Sequence, residues 1–429
     1  MQCESHPVEG KVVDFEPVKL CKEPERSSKL TWIAIILVNL IFVAIGCQSI
    51  SESEAVRPLF LRDVPAQRLA YRLETDVNLP AEVKNEDANE KIEAIQNDFK
   101  TRRPDDALLR TVRSPDGQRA LALYGTEDEP SPAFRIDTYS ADGKFLRNVI
   151  PPDLSCVFPE TVAWSTDGNS IAFIAHRNVK PARSPTPPGT ELRAAPEGVP
   201  LVTPSIAPAF PLVAVFNTEQ IYVCNRDGFD LKPLTSREGL IYFYFSWAPD
   251  NHALVALACK EVEWDARERE FKLPAGRPRL ISADGKERLL DDRMTEALPV
   301  WSTDSSKVAT AFESDVAIYD AATSKPTQAS IPLREALITA SVAYEQKTAS
   351  HTQKSEVQQK KVGDAKERDT PSQQTRLPAS FNPIVRLEWP NPERLYLQTA
   401  YVRILPNEPI NTFQRWHLLQ ISPQAAVLK

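Results

Sequence analysis

Glycine is scarce in this chain and methionine nearly absent: 13 glycines and two methionines stand against 37 prolines in 429 residues. Average usage puts glycine ahead of proline, at roughly 7% against 5%, so the few glycines occupy selected positions. Neither GxGxxG nor GxxxxGK occurs, which excludes the glycine-rich loops that cradle phosphates. Excess positive charge is also missing. A net charge of −7 argues against a nucleic-acid binder held by phosphate contacts. Six cysteines are too few and too scattered for a disulfide scaffold. Long apolar runs are absent apart from one, so the chain is not polytopic, while 42% hydrophobic residues suffice for a large core.

The single apolar run extends from Leu30 to Cys47 without a charge. Its 18 residues lie at the lower edge of a spanning helix and beyond a usual signal-peptide core. Lys19, Lys22, Arg26 and Lys29 precede it and only Arg57 and Arg62 follow nearby, which predicts a cytoplasmic N-terminus (1–29) and an extracytoplasmic body. Its end, Ala44-Ile45-Gly46-Cys47, resembles the lipobox of bacterial lipoproteins, with Ala44 in place of the usual leucine. The resemblance implies lipidation of Cys47. An uncleaved transmembrane anchor over 30–47 is the other reading, and both place the body outside the cytoplasm. Three cysteines remain there, Cys156, Cys224 and Cys259, each in or beside an apolar run and read as buried.

In the body, Gly117, Gly143, Gly168, Gly228 and Gly285 each follow an aspartate between strand-like segments. Asp-Gly is a strong hairpin signal, because glycine supplies the positive φ of a tight turn. The hairpins belong to a larger period. Arg113-Ser-Pro-Asp116-Gly117, Trp164-Ser-Thr-Asp167-Gly168, Trp247-Ala-Pro-Asp250-Asn251 and Trp301-Ser-Thr-Asp304-Ser305 each open onto an apolar strand, and Trp389-Pro-Asn-Pro begins an eroded fifth copy. The starts lie 51, 83, 54 and 88 residues apart, the long gaps holding inserts at about 178–210, rich in proline and alanine, and 346–375, rich in polar residues. Four strands per unit of roughly 40–55 residues is the signature of a β-propeller blade. The fold class is therefore all-β, with five recognisable units.

These units resemble the WD-like repeats of the TolB-type propeller family, with Trp-Ser-Pro-Asp-Gly, an apolar strand, then Ile-Tyr-Val-x-Asn-x-Asp-Gly and Leu-Thr; Ile221 to Thr235 follows that succession closely. The resemblance implies six blades over 107–429, the sixth assembled from about Leu59 to Thr75 with the C-terminal strands. The tryptophans are expected to pack between blades and the aspartates to accept turn hydrogen bonds. Between anchor and propeller, 48–106 reads as a linker holding an amphipathic helix over Ala81–Lys100, with Ala88, Ile92, Ile95 and Phe99 on one face. It is too short for the α/β domain of the full TolB proteins.

No catalytic, cofactor or metal set stands out. His6, His176, His252, His351 and His417 show no HExxH spacing, there is no GxSxG, and the charged run Glu261–Glu270 reads as a solvated loop. No domain follows the repeats, which sets aside the propeller-plus-hydrolase layout of prolyl oligopeptidases. The expectation is a non-enzymatic, membrane-anchored scaffold for an envelope protein or peptide. The alternative is a glycan- or peptide-processing enzyme with its site in the axial funnel.

Overall fold

The computed structural model describes residues 60–79, 83, 91–127, 132–178, 213–322, 325–344, 346–347, 382–403 and 411–423. The apolar run 30–47, Cys47 and most of both inserts lie outside the described residues. Among those described, no helix is long and apolar enough to cross a membrane.

Antiparallel sheets dominate. Strand β1 (Ala70–Glu74) comes first. The first sheet is β2 (Ala107–Arg113), β3 (Arg119–Gly125), β4 (Arg135–Ser140) and β5 (Phe145–Asn148). In the second, β6 (Leu154–Ser155) and β7 (Ala163–Trp164) pair with opposite ends of β8 (Ser170–Arg177), followed by β9 (Gln220–Asn225) and β10 (Lys232–Pro233). The third is β11 (Leu240–Trp247), β12 (Ala253–Lys260), β13 (Arg277–Ser282) and β14 (Glu287–Leu289). The fourth is β15 (Val300–Trp301), β16 (Lys307–Phe312), β17 (Asp315–Asp320) and β18 (Gln328–Pro332). The fifth is β19 (Ile384–Asn391), β20 (Arg394–Arg403) and β21 (Asn411–Ser422), with β1 as its outer strand. This all-β architecture fits a β-propeller.

The segment from Leu59 to Thr75 joins the C-terminal strands as expected, but not as a further sheet: β1 pairs with β21, Leu73 opposite Leu419, and completes the unit that begins at Trp389. Residues ahead of it are anchored too. Leu61, Val64, Ala66 and Leu69 are buried between the fourth and fifth sheets. Both Asp320 carboxylate oxygens accept from the Ala66 N–H, at 3.2 and 3.1 Å, and one takes Lys307 Nζ at 2.7 Å. Burial alone would raise the Asp320 carboxyl, but these bonds and those from Thr327 hold it below its ordinary range.

Successive sheets meet in apolar seams. Leu121, Leu123 and Ile136 of the first pack on Phe173 and Tyr222 of the second; Ile174 and Ile221 pack on Leu254 and Ala256 of the third. Val255 and Leu280 then meet Val308 and Tyr319, and Ala309 and Ile318 meet Leu387 and Leu397. Central strands bury both faces, which is why β8 reads as the unbroken run Ile-Ala-Phe-Ile-Ala. On the far side of the first sheet, helix α1 (Glu93–Arg102) inserts Ile95 and Phe99 against Ala122 and Tyr139. Of the segment Ala81–Lys100 read as an amphipathic helix, α1 covers the C-terminal end, and residues 81, 82 and 84–90 lie outside the described set.

The run Glu261–Glu270 is not a loop. It forms α2 (Glu261–Arg269), with Glu263 accepting the Lys260 N–H at 2.9 Å and arginines in the last turn. Acidic residues at the start, basic ones at the end and strong helix formers between them explain it.

Candidate functional site

The repeat residues act structurally. The five Asp-Gly glycines all have positive φ, from 69° to 84°. Asp116, Asp167, Asp250 and Asp304 each accept the backbone N–H two residues on, at 3.0–3.1 Å. Ser114, Ser165 and Ser302 add hydroxyl bonds to the same carboxylates. The Ser114 hydroxyl, then the Gln118 N–H and Arg226, pull the Asp116 carboxyl down to about 2. These carboxylates are committed to their own turns. Among the described residues no group of His, Cys, Asp and Glu could hold a metal ion.

The tryptophans face backward around the ring. Trp164, Trp301 and Trp389 are buried in the seam with the preceding sheet, and Trp247 packs against the corresponding cluster. Cys156, Cys224 and Cys259 are buried and form no disulfide; burial pushes the thiols of Cys224 and Cys259 up to about 12.

Strand directions separate two faces. One, the turn face, holds the Ser-x-Asp turns and the short second hairpins. Every connection longer than seven residues leaves from and returns to the other, the loop face: those after β1, β3, β8, β12, β14 and β18. In repeat proteins, insertions confined to one face mark the binding face.

The first strands of the sheets change character on that side. Register shifts at Leu108/Arg110, Tyr242/Tyr244 and Ile384/Arg386 place one bulged residue, Leu109, Phe243 or Val385, four positions before Arg113, Trp247 and Trp389. In the second sheet the first strand is broken outright between β6 and β7 by the turn Pro159–Thr161. Bulges re-aim side chains and end pairing. Here Leu109, Val385 and, ahead of β15, Leu298 are left over 40% exposed. Arg110, Tyr244 and Arg386 follow at the next position. Burial, reinforced by Glu388 and opposed by Ser246, pushes the Tyr244 phenol up to about 12.

Beside this mouth lies a titratable pair. His176 is the penultimate residue of β8 and Glu219 precedes β9; the imidazole Nδ1 is 3.4 Å from the Glu219 carboxylate without forming a hydrogen bond. Burial and the nearby Glu261 raise the Glu219 carboxyl, with His176 opposing. Helix α2 walls this region: Trp264 packs edge-on to Phe158 at 5.8 Å and against the bulged Phe243 at 5.6 Å. The carboxylates of α2 are partly spent on structure, since Glu263 grips the Arg277 guanidinium at 2.7 and 2.9 Å.

None of these residues stood out in the sequence. His176 and Glu219 flank the long insert, 43 positions apart. The bulges have no residue signature of their own; only aligning the residues upstream of each tryptophan brings Leu109, Phe243 and Val385 into phase.

No family model matches the sequence, and no curated protein does. Among solved structures the chain is similar to prolyl oligopeptidase B from Galerina marginata, bound to a 35mer hydrolysis and macrocyclization substrate (12% identity, 77% of this chain, 36% of that one, TM-score 0.38). A putative dipeptidyl aminopeptidase IV from Bacteroides ovatus matches 69% of this chain and 34% of its own at 7% identity, TM-score 0.31. A putative TolB from Agrobacterium tumefaciens matches 74% and 89% at 11% identity, TM-score 0.27. The chain spans about a third of the length of these two peptidases. The expectation of a non-enzymatic scaffold finds no counterpart in the solved structures first matched, which are peptidases, the class closest to the alternative reading of a peptide-processing enzyme.

Proposed function

We propose that this propeller binds and processes peptides at the loop-face mouth of its axis. The observation that carries the reading is the coincidence, on one face, of all the long connections, the in-phase bulges and the His176–Glu219 pair. Exposed aliphatic side chains beside arginines suit the apolar residues and carboxylates of a peptide better than the hydroxyls of a glycan. The Glu219 carboxylate lies beside Nδ1, and Nε2 is left to take a proton from water. The hydroxide equivalent adds to the peptide carbonyl, the C–N bond breaks, and the imidazolium returns the proton to the departing amine.

The repeat succession supports kinship with TolB-type propellers. The uncharged run 30–47 and the basic residues before it support a membrane tether with the propeller outside the cytoplasm, through lipidated Cys47 or an uncleaved anchor. The direct test of activity is mass spectrometry of a peptide mixture incubated with the full chain and with Glu219→Gln.

A further inference from the structure

A cavity of about 310 Å³ opens at the rim between the first and second sheets, away from the axial mouth. Val149, Pro151, Val213 and Leu231 form its apolar walls, and Arg147, Phe229 and Asp230 also line it. The turn carrying Phe229 reaches β5 because position 228 has no side chain. Gly228 has a φ of 80°, and a Cβ there would lie 3.2 Å from Val149 Cγ2 and 3.6 Å from Arg147 Cδ.

Two opposite charges border this space without neutralising each other. The Arg147 guanidinium stacks 4.0 Å above the Phe229 ring, and its Nε is buried without an acceptor. Asp230 receives Asn225 Nδ2 on Oδ2 at 3.0 Å. Among the described residues, neither Arg147 nor Asp230 has an ion-pair partner within 4.0 Å. A buried cationic donor left without an acceptor is costly, and a cavity of this size is in the range that holds small ligands.

We propose that this rim cavity binds a free α-amino acid with an apolar side chain. Its carboxylate accepts from Arg147, its ammonium donates to Asp230, and its side chain lies against Val149, Pro151, Val213 and Leu231. Spatially and chemically the site is separate from the axial mouth, and it stands whether or not the chain processes peptides.

Isothermal titration calorimetry on the full chain tests this with three probes: L-leucine, N-acetyl-L-leucine, which lacks the ammonium, and L-leucinamide, which lacks the carboxylate. Leucine is expected to bind at least tenfold more tightly than either blocked form, the loss of one charged hydrogen bond. Asp230→Asn, at an exposed turn position, should weaken leucine about tenfold and leave N-acetyl-leucine unchanged; Arg147→Met should weaken both. The absence of leucine binding, equal affinity for all three probes, or an Asp230→Asn protein that binds leucine normally would overturn the proposal. The wild-type series alone decides if Arg147→Met fails to fold.

Discussion

Trp301 donates its indole N–H to the carbonyl of Ser246, 3.1 Å away across the seam between the third and fourth sheets. Trp164 makes the same bond to Val112 between the first and second, also at 3.1 Å. In both, the acceptor is the residue just before the equivalent position of the preceding unit. By that phase Trp247 should bond Ala163, yet its Nε1 is buried without a partner. Replacing each tryptophan by phenylalanine removes a satisfied bond at 164 and 301 and an unsatisfied donor at 247. Trp247→Phe should therefore cost about 1–3 kcal/mol less than Trp301→Phe in urea unfolding. An equal or larger loss at 247 would show that the bonding pattern does not set seam strength.

Two glycines of like conformation separate backbone strain from crowding. Gly117 has a φ of 69° and open space around it, whereas a Cβ at Gly143, φ 80°, would lie 2.5 Å from Ala94 Cβ on α1. Gly117→Ala should cost about 1–2 kcal/mol, the penalty of a left-handed non-glycine residue. Gly143→Ala should cost more and expose α1 to hydrogen exchange, with Ala94→Gly recovering part of the loss. Equal costs and unchanged exchange in α1 would mean that the helix does not depend on this turn.

His417 links acid sensitivity to the closing strand. It is buried on β21; Thr399 Oγ1 lies 3.0 Å from Nε2, and the Asp76 N–H donates to Nδ1 at 3.4 Å. Burial, then the Arg415 guanidinium, lowers its pKa to about 4, with Asp76 opposing. The unfolded chain takes up a proton near pH 6.5 that the folded one refuses until about pH 4. Stability from this group is therefore full above that window and lost as pH falls through it, by about 3 kcal/mol in all. His417→Gln should flatten the pH dependence of unfolding free energy between these values; an unchanged slope would assign it to other groups.

Much of the fold was legible because tight turns and seams demand particular residues. Asp-Gly pairs announce positive φ, and recurring tryptophans announce a large seam contact. The closing strand was harder to place, since β1 carries five residues without a repeat motif and its partner is set by the far end of the chain. Helix α2 hid behind its charges, which cap and neutralise it rather than solvate a loop. The site was least visible. A bulge is a change of register that any residue permits, and Glu219 and His176 meet only because β8 and β9 pair across the insert.

The account rests most heavily on the His176–Glu219 pair at the loop-face mouth. Its most direct test is the rate of product formation, by mass spectrometry of a defined peptide mixture, for the native chain, Glu219→Gln and His176→Gln side by side. The account predicts new peptide termini with the native chain, a rate at least tenfold lower for Glu219→Gln, and none above background for His176→Gln. Cleavage at the native rate by both variants, or no cleavage by the native chain, would contradict it.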